Sequence, residues 1–130
     1  GEAAARNYRE RGIPAEACGV VFAAPGEKTL YAAGDTLWYA GVRAALDRYQ
    51  PDVVVLNAAD ARFHDGTPIL MDADGLYEAA MAAPQATIIA GHLDAVNHAR
   101  LGRAGLREFV KARGLSERVR IPEDGEVCIL

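Results

Sequence analysis

Short apolar runs alternate along the chain with segments of helical periodicity, and this alternation predicts an α/β fold. Each run adjoins Gly, Pro, Asn or Asp, which is typical of buried β-strands that end in turns. The first two runs flank Pro, Gly and charged residues at positions 25–28 and therefore predict a hairpin. The predicted strands span residues 17–24, 29–33, 53–56, 87–90, 119–121 and 126–130.

The segments before and between these strands have the spacing of amphipathic helices. Tyr39, Val42 and Leu46 recur at three- and four-residue steps and form one apolar stripe. Asp72 or Asp74 is a candidate N-cap, because a carboxylate accepts hydrogen bonds from the free N–H groups of a first helical turn. The predicted helices span residues 1–11, 37–49, 72–83 and 97–113.

The order of these elements predicts a sheet with helices on a single face. Crossovers between parallel strands are right-handed, so successive units that advance in one direction place every helix on the same side. Residues 53–56 are apolar throughout, which indicates a strand covered on both faces. We therefore predict half of a sandwich, whose uncovered apolar face is buried by protein outside this sequence or by a second copy.

Length and composition indicate one globular unit of 130 residues, with an N-terminal helix and loop at 1–16 and a sheet-and-helix core at 17–130. A net charge of −4 argues against a nucleic acid or an acidic membrane as partner. The chain contains neither a membrane-length apolar stretch nor the apolar core of a signal peptide. A cytoplasmic location is therefore expected, with Cys18 and Cys128 as reduced thiols.

Two polar residues come directly after buried strands, each with a glycine before it. Asp35 lies in the segment Ala-Gly-Asp-Thr, and His92 lies in Ala-Gly-His-Leu. The carboxyl ends of parallel strands are where ligands collect in open α/β sheets. Carboxylate and imidazole are both zinc ligands, so the pattern predicts a metal site that contains Asp35 and His92.

Both residues also have an interpretation without metal. Asp35 and Thr36 can cap the helix that follows them, because both side chains accept hydrogen bonds from helix N–H groups. His92 can be a core histidine whose hydrogen bonds are satisfied, or a cap at the end of its strand.

Five further residues are candidates for contacting substrate or supporting the metal ligands. Asn57 ends the strand 53–56 at the same edge, where it positions a ligand or turns the chain. Asp94 and His98 are four residues apart and would share one helix face. Trp38 either lines a pocket at the predicted metal site or packs in the core. His64 lies in a long loop, which is functional or simply solvated at its tip.

The order of these segments resembles the C-terminal half of the metallo-β-lactamase superfamily, in particular the branch of metal-dependent hydrolases that includes the ascorbate-phosphate lactonases. The resemblance runs from about residue 18 to the C-terminus. Four segments carry it by their order and spacing: Tyr-Ala-Ala-Gly-Asp-Thr at 31–36, Pro-Asp-Val-Val-Val-Leu-Asn at 51–57, Ile-Ile-Ala-Gly-His at 88–92 and Ile-Pro-Glu-Asp-Gly at 121–125.

The resemblance implies an αββα sandwich of two sheets, with a metal site at one edge between them. It further implies that Asp35 bridges two metals and that His92 binds the second of them. The implied activity is hydrolysis of an ester, lactone, phosphoester or amide of a small molecule by a metal-activated hydroxide. Zinc is the expected metal, with manganese or iron as alternatives.

One departure from the family pattern limits this prediction. The family's other ligands come from an H-x-H-x-D-H motif and a further histidine in its N-terminal half. This sequence has three histidines, His64, His92 and His98, and no H-x-H. We therefore expect an incomplete half, inactive alone, whose N-terminal half lies on the same polypeptide, was cleaved or is absent.

Two alternatives remain at the level of sequence. A non-catalytic α/β binding or scaffold module would keep the fold without the site. A free-standing flavodoxin-like domain would have parallel strands with helices on both faces.

Overall fold

A five-stranded sheet organises the chain in the computed structural model, which describes residue 6, residues 8–12 and residues 18–130. The strands are β1 (Val20–Phe22), β2 (Leu30–Ala32), β3 (Val53–Asn57), β4 (Thr87–Gly91) and β5 (Val119–Arg120). Helices α1 (Ala40–Tyr49), α2 (Ala73–Ala82) and α3 (Arg103–Ala112) connect the successive strands from β2 to β5.

The strands lie across the sheet in the order in which they occur along the chain, β1-β2-β3-β4-β5. β1 pairs antiparallel with β2, and every later pair is parallel. Because the chain always advances in one direction, its right-handed crossovers place the helices on one face. The predicted mixed sheet with one-sided helices is confirmed, whereas a flavodoxin-like fold would require the strand order to reverse.

The hydrophobic core lies between the sheet and these helices. Tyr31, Val54 and Ile88 are register neighbours on β2, β3 and β4, and each is almost completely buried. The helices supply the opposing side chains, and burial of each large aliphatic side chain stabilises the fold by about 1.5–3 kcal/mol. The main helix contributions are Val42, Leu46, Leu76, Ala79, Ala80, Leu106 and Val110.

The other face of the sheet is apolar but open, and we call it the open face. Two rows of register neighbours cross it: Val20, Ala32, Val55 and Ile89, and Phe22, Leu30, Val53 and Thr87. Val20 is 45% exposed and Phe22 is 59% exposed, while Val55 and Ile89 are partly exposed. Val53 is buried, but it does not belong to the core cluster beneath the helices. Within the described residues the part of this face that carries Val20 and Phe22 is uncovered, whereas the part at Val53 is covered.

Several predicted element boundaries differ from the structure, among them the first strand, which is predicted at 17–24 and observed at Val20–Phe22. Helix α1 begins at Ala40 rather than 37, because Tyr39 is an extended N-cap residue that is itself half exposed. Helix α3 begins at Arg103 rather than 97, because residues 92–100 form bends and turns and the extended residue Gly102 is the N-cap. The helix predicted at 1–11 is helical at residues 6 and 8–10, with a turn at residue 11 and left-handed Gly12 after it. Residues 1–5 and 7 lie outside the described part.

The predicted terminal strand at 126–130 is wrong. These residues form no strand, and Val127 and Ile129 are 82% and 95% exposed. A strand requires a partner for its backbone hydrogen bonds, and in the described part of the chain no strand pairs with residues 126–130.

None of the described helices is long and apolar enough to cross a membrane.

Replacing Phe22 by Ser is expected to reduce the fluorescence of a hydrophobic dye bound to the chain and to weaken self-association at high concentration. The substitution removes the most exposed aromatic side chain of the open face. Dye fluorescence and light scattering measure the two effects.

The matched control is Met81→Ser, which removes a 43% exposed apolar side chain from α2 on the helix side. Dye binding should not change in this variant. An unsubstituted chain that stays monomeric at high concentration and binds no dye would contradict the open-face interpretation.

Candidate metal centre

Three neighbouring parallel strands end at one edge of the sheet, which we call the carboxyl edge. β3 ends at Asn57, which is the register partner of Gly91 at the end of β4. The ladder between β2 and β3 continues past Ala32, because the Ala33 N–H donates to the carbonyl of Val55 at 3.0 Å. Asp35, Asn57 and His92 therefore lie at successive strand ends along this edge.

A side-chain hydrogen bond joins two of these residues. The Asn57 amide Nδ2 donates to Asp35 Oδ1 at 2.6 Å, although the residues are 22 positions apart. Asp35 does not cap α1, because the N-cap residue is Tyr39 and its helix end has no side-chain cap. The structure thus disfavours the capping interpretation of Asp35 and gives Asn57 a positioning contact with this carboxylate.

The Asp35–Asn57 pair lies on the open-face side of the carboxyl edge. Side chains alternate along a strand, so Asn57 shares a face with Val55 and Val53. A Cβ at Gly91 would lie 3.9 Å from Asn57 Oδ1, so the glycine leaves space beside the amide. Protein packed on the open face would therefore meet this pair directly.

His92 projects from an uncommon backbone conformation. Its φ is 62°, and that of Asp94 is 57°, in the left-handed region that costs a non-glycine residue about 1–2 kcal/mol. Leu93 between them is only 3% exposed and packs in the core. The His92 side chain is exposed, so the interpretation as a core histidine fails. Strain of this kind accumulates at functional sites, where surrounding contacts maintain it.

Asp94 contacts the first turn of α3. Its Oδ2 accepts hydrogen bonds from the Arg103 backbone N–H and from Arg103 Nη1, both at 3.1 Å. The expectation that Asp94 and His98 share a helix face is wrong, because residues 92–100 are not helical. The Asp94 carboxylate therefore anchors the loop after β4 to the helix.

His98 and His64 lie in the loops beyond the carboxyl edge, and both are exposed. The carbonyl of His98 accepts a hydrogen bond of 3.4 Å from the Arg62 N–H, so the loops after β3 and β4 are in contact. His64 lies at the turn of the first of these loops, and within residues 18–130 no hydrogen bond joins it to Asp35, Asn57 or His92.

Trp38 packs against the hydrophobic core and is partly buried. Its Cβ lies 3.2 Å from the position that a Cβ on Gly75 would occupy, so it contacts the first turn of α2. Of the two interpretations that the sequence allows for Trp38, the contacts favour core packing.

The sequence analysis did not single out Arg103, the first residue of α3. Its side chain is only 15% exposed, and Nε donates to the Pro122 carbonyl at 2.9 Å while Nη2 bonds Asp124. Burial lowers the pKa of Arg103, but the charges and hydrogen bonds of Asp124 and Asp94 outweigh it and raise the pKa. Arg103 is far in sequence from these partners, so no local pattern predicts the contacts.

Two residues at the carboxyl edge have side chains of the types that bind metals. Asp35 supplies a carboxylate that is oriented by a hydrogen bond, as metal-binding carboxylates commonly are, and His92 supplies an exposed imidazole. Among the described residues there is no group of three or more His, Cys, Asp or Glu that could hold a metal ion.

Comparison with known proteins identifies relatives that are about twice as long. No protein-family profile matches the chain. The UPF0173 protein YddR of Bacillus subtilis is 42% identical over 111 residues, which cover 85% of this chain and 44% of that protein.

Three solved structures share the fold. An isothiocyanate hydrolase from Delia radicum gut bacteria has a TM-score of 0.81 and 42% identity, covering 85% of this chain and 43% of its own. A possible metal-dependent hydrolase from Veillonella parvula has a TM-score of 0.79 and 37% identity, covering 83% and 42%. The metallo hydrolase Igni18 from Ignicoccus hospitalis, at 24% identity, is similar in fold with a TM-score of 0.63, covering 83% and 43%.

The one-sided sheet and these similarities assign the chain to the fold that these hydrolases share. It belongs to the metallo-β-lactamase superfamily, as the order of its motifs predicts. The chain spans less than half the length of the relatives that it matches.

Replacing Asn57 by Asp is expected to make the free energy of unfolding fall as the pH rises from 4 to 7. A second carboxylate in contact with Asp35 raises the pKa of the pair, because both cannot be ionised without repulsion. The folded chain then binds more protons than the unfolded chain, so stability is lost as these protons leave, by about 1 kcal/mol. Urea denaturation at a series of pH values measures the effect.

The control Asn57→Ala removes the same hydrogen bond without adding a charge. Its loss of stability should not depend on pH over this range. An equal loss for both variants at every pH would show that Asp35 and residue 57 do not interact in solution.

Proposed function

We propose that Asp35 and His92 are ligands of a divalent metal in a hydrolase, and that polypeptide outside this sequence supplies the remaining ligands. The observation that carries the proposal is the Asp35–Asn57 hydrogen bond beside Gly91 and His92 at the carboxyl edge. The relationship to metal-dependent hydrolases supports the same function.

The donor set suits zinc, which binds carboxylate oxygen and imidazole nitrogen, and it also suits manganese or iron. A bound ion of this type lowers the pKa of water to about 7 and polarises the atom that is attacked. Asn57 holds Asp35 Oδ1 and so orients the carboxylate. His92 follows the end of β4 in left-handed backbone, and its side chain is exposed.

The open face is the proposed contact surface for the missing part of the domain. Val20, Phe22, Val55 and Ile89 offer it an apolar surface, and the relatives are more than twice as long as the matched region. A second sheet packed there would place the carboxyl edge between two sheets and exclude water from one side of it. The preferred occupant is the N-terminal half on the same polypeptide, and a second copy of this chain is the alternative.

The proposed reaction is attack by water on an electrophilic centre of a small molecule. Ester, lactone, phosphoester and amide substrates all meet this description, and they remain the starting panel for assays. One relative is named an isothiocyanate hydrolase, and the central carbon of an isothiocyanate is also electrophilic. An isothiocyanate therefore belongs in the same panel.

Elemental analysis of the complete protein as purified is expected to find about two metal ions per molecule. Asp35→Asn and His92→Gln should each lower this content, since each removes one proposed ligand. Asp47→Asn and His64→Gln are the matched controls, because Asp47 pairs with Arg43 on α1 and His64 lies at a loop turn. Equal metal content in all five proteins would refute the ligand assignment, and absence of metal from all of them would favour a binding module.

Hydrolysis of the substrate panel by the complete protein should depend on the same two residues. Asp35→Asn is expected to lower kcat/KM by at least about a hundredfold, as loss of a ligand costs more than loss of a supporting contact. Asp47→Asn should leave kcat/KM unchanged. Activity that survives both Asp35→Asn and a metal chelator would exclude metal-dependent hydrolysis.

A further inference from the structure

We propose that Asp94, Gly102 and Arg103 form a clamp that positions the His92 imidazole, an inference that rests on the proposed role of His92 as a ligand. The clamp acts through the backbone of the β4–α3 loop, so its members are positioning residues. It joins the end of β4 to the beginning of α3 and, through Arg103, to the turn at 122–125.

Two anchors follow His92 directly in the chain. Leu93 is 3% exposed and packs in the core, and Asp94 is bonded to the first turn of α3. His92 and Asp94 both have left-handed backbone, with φ of 62° and 57°. With Leu93 and Asp94 held in place, the direction in which His92 leaves the strand is restricted. Release of Asp94 would allow this short segment to relax toward ordinary backbone dihedral angles.

Gly102 provides the space that Asp94 occupies. A Cβ at position 102 would come within 2.2 Å of Asp94 Oδ1, a distance that no two such atoms can adopt. The φ of Gly102 is −101°, which alanine tolerates without strain. Gly102→Ala therefore displaces the carboxylate without requiring a backbone conformation that alanine disfavours.

Arg103 binds the Asp94 carboxylate and is itself bound by the turn at 122–125. Its guanidinium bonds Asp94, Asp124 and the carbonyl of Pro122, and its side chain is only 15% exposed. A partly buried arginine with several fixed partners has little freedom to move away from Asp94. The clamp thus fixes the loop against two other parts of the fold.

Arg107 provides a matched control one turn further along α3. Its Nη2 donates to the carbonyl of Ile121 at 2.9 Å and to Glu123 Oε1 at 2.5 Å, so it binds the same terminal segment as Arg103. Its bonds within residues 18–130 do not include Asp94. Loss of Arg107 therefore tests the contact between helix and terminal segment without releasing the loop.

The experiment records the imidazole NMR signals of the chain, whose three histidines are His64, His92 and His98. His92→Gln assigns the His92 signals. Asp94→Ala and Gly102→Ala should each shift or broaden the His92 signals in the absence of metal, while the His64 signals stay in place. Arg107→Ala should leave the His92 signals unchanged. Asp94→Asn retains an oxygen that accepts the Arg103 N–H, and it should restore signals close to those of the unsubstituted chain.

Unchanged His92 signals in both Asp94→Ala and Gly102→Ala would overturn the clamp, as would an equally large shift in Arg107→Ala. Circular dichroism checks that each variant is folded, and Gly102→Ala alone decides the question if Asp94→Ala unfolds. These spectra need no metal, so they judge the clamp independently of the proposed function.

A zinc titration of the complete protein, which contains the remaining proposed ligands, then tests the ligand role on which the clamp depends. Zinc should shift the His92 signals, and Asp94→Ala should weaken the zinc affinity by about tenfold, as is usual for residues that support ligands. His92 signals that do not respond to zinc would refute the ligand role, even where the metal-free spectra support the clamp.

Discussion

Parallel pairing of β2, β3 and β4 is the constraint on which the candidate site depends. Because the three strands run in the same direction and in register, their carboxyl ends meet at one edge. This arrangement brings Asp35 within 2.6 Å of Asn57 and places Asn57 beside Gly91, immediately before His92. Asp35 and His92 are more than fifty positions apart and reach the same edge because of the backbone pairing between strands. Their own side chains do not contribute to that pairing.

The same topology makes the fold one-sided. Strands that advance steadily across the sheet place their helices on one face, so the core forms between that face and α1, α2 and α3. The opposite face keeps apolar side chains such as Phe22 and Val20 partly exposed to solvent. The Asp35–Asn57 pair lies on this open side. Under the proposed function, polypeptide packed on the open face would both cover the apolar surface and lie beside the Asp35–Asn57 pair.

Local pattern was sufficient where an element depends on its own residues. The β-branched run of β3 and the hairpin turn before β2 appear as predicted, and of the two N-cap candidates for α2, Asp72 and Asp74, the cap is Asp72. Local sequence pattern did not predict the structure correctly where an element depends on contacts with another segment of the chain. Residues 126–130 have the composition of a strand but, among the described residues, no strand to pair with. Helix α3 begins only after the extended N-cap Gly102, where the Asp94 carboxylate packs.

The sequence by itself determined the order of strands and helices, the superfamily, and the position of Asp35 and His92 directly after two buried strands. These properties depend on hydrophobic periodicity and on turn residues, which act over a few neighbouring positions. Only the tertiary structure decided that Asn57 donates to Asp35 and that Arg103 and Gly102 hold Asp94. Such contacts arise from strand register and helix placement, which long-range packing sets and which leave no local pattern in the sequence.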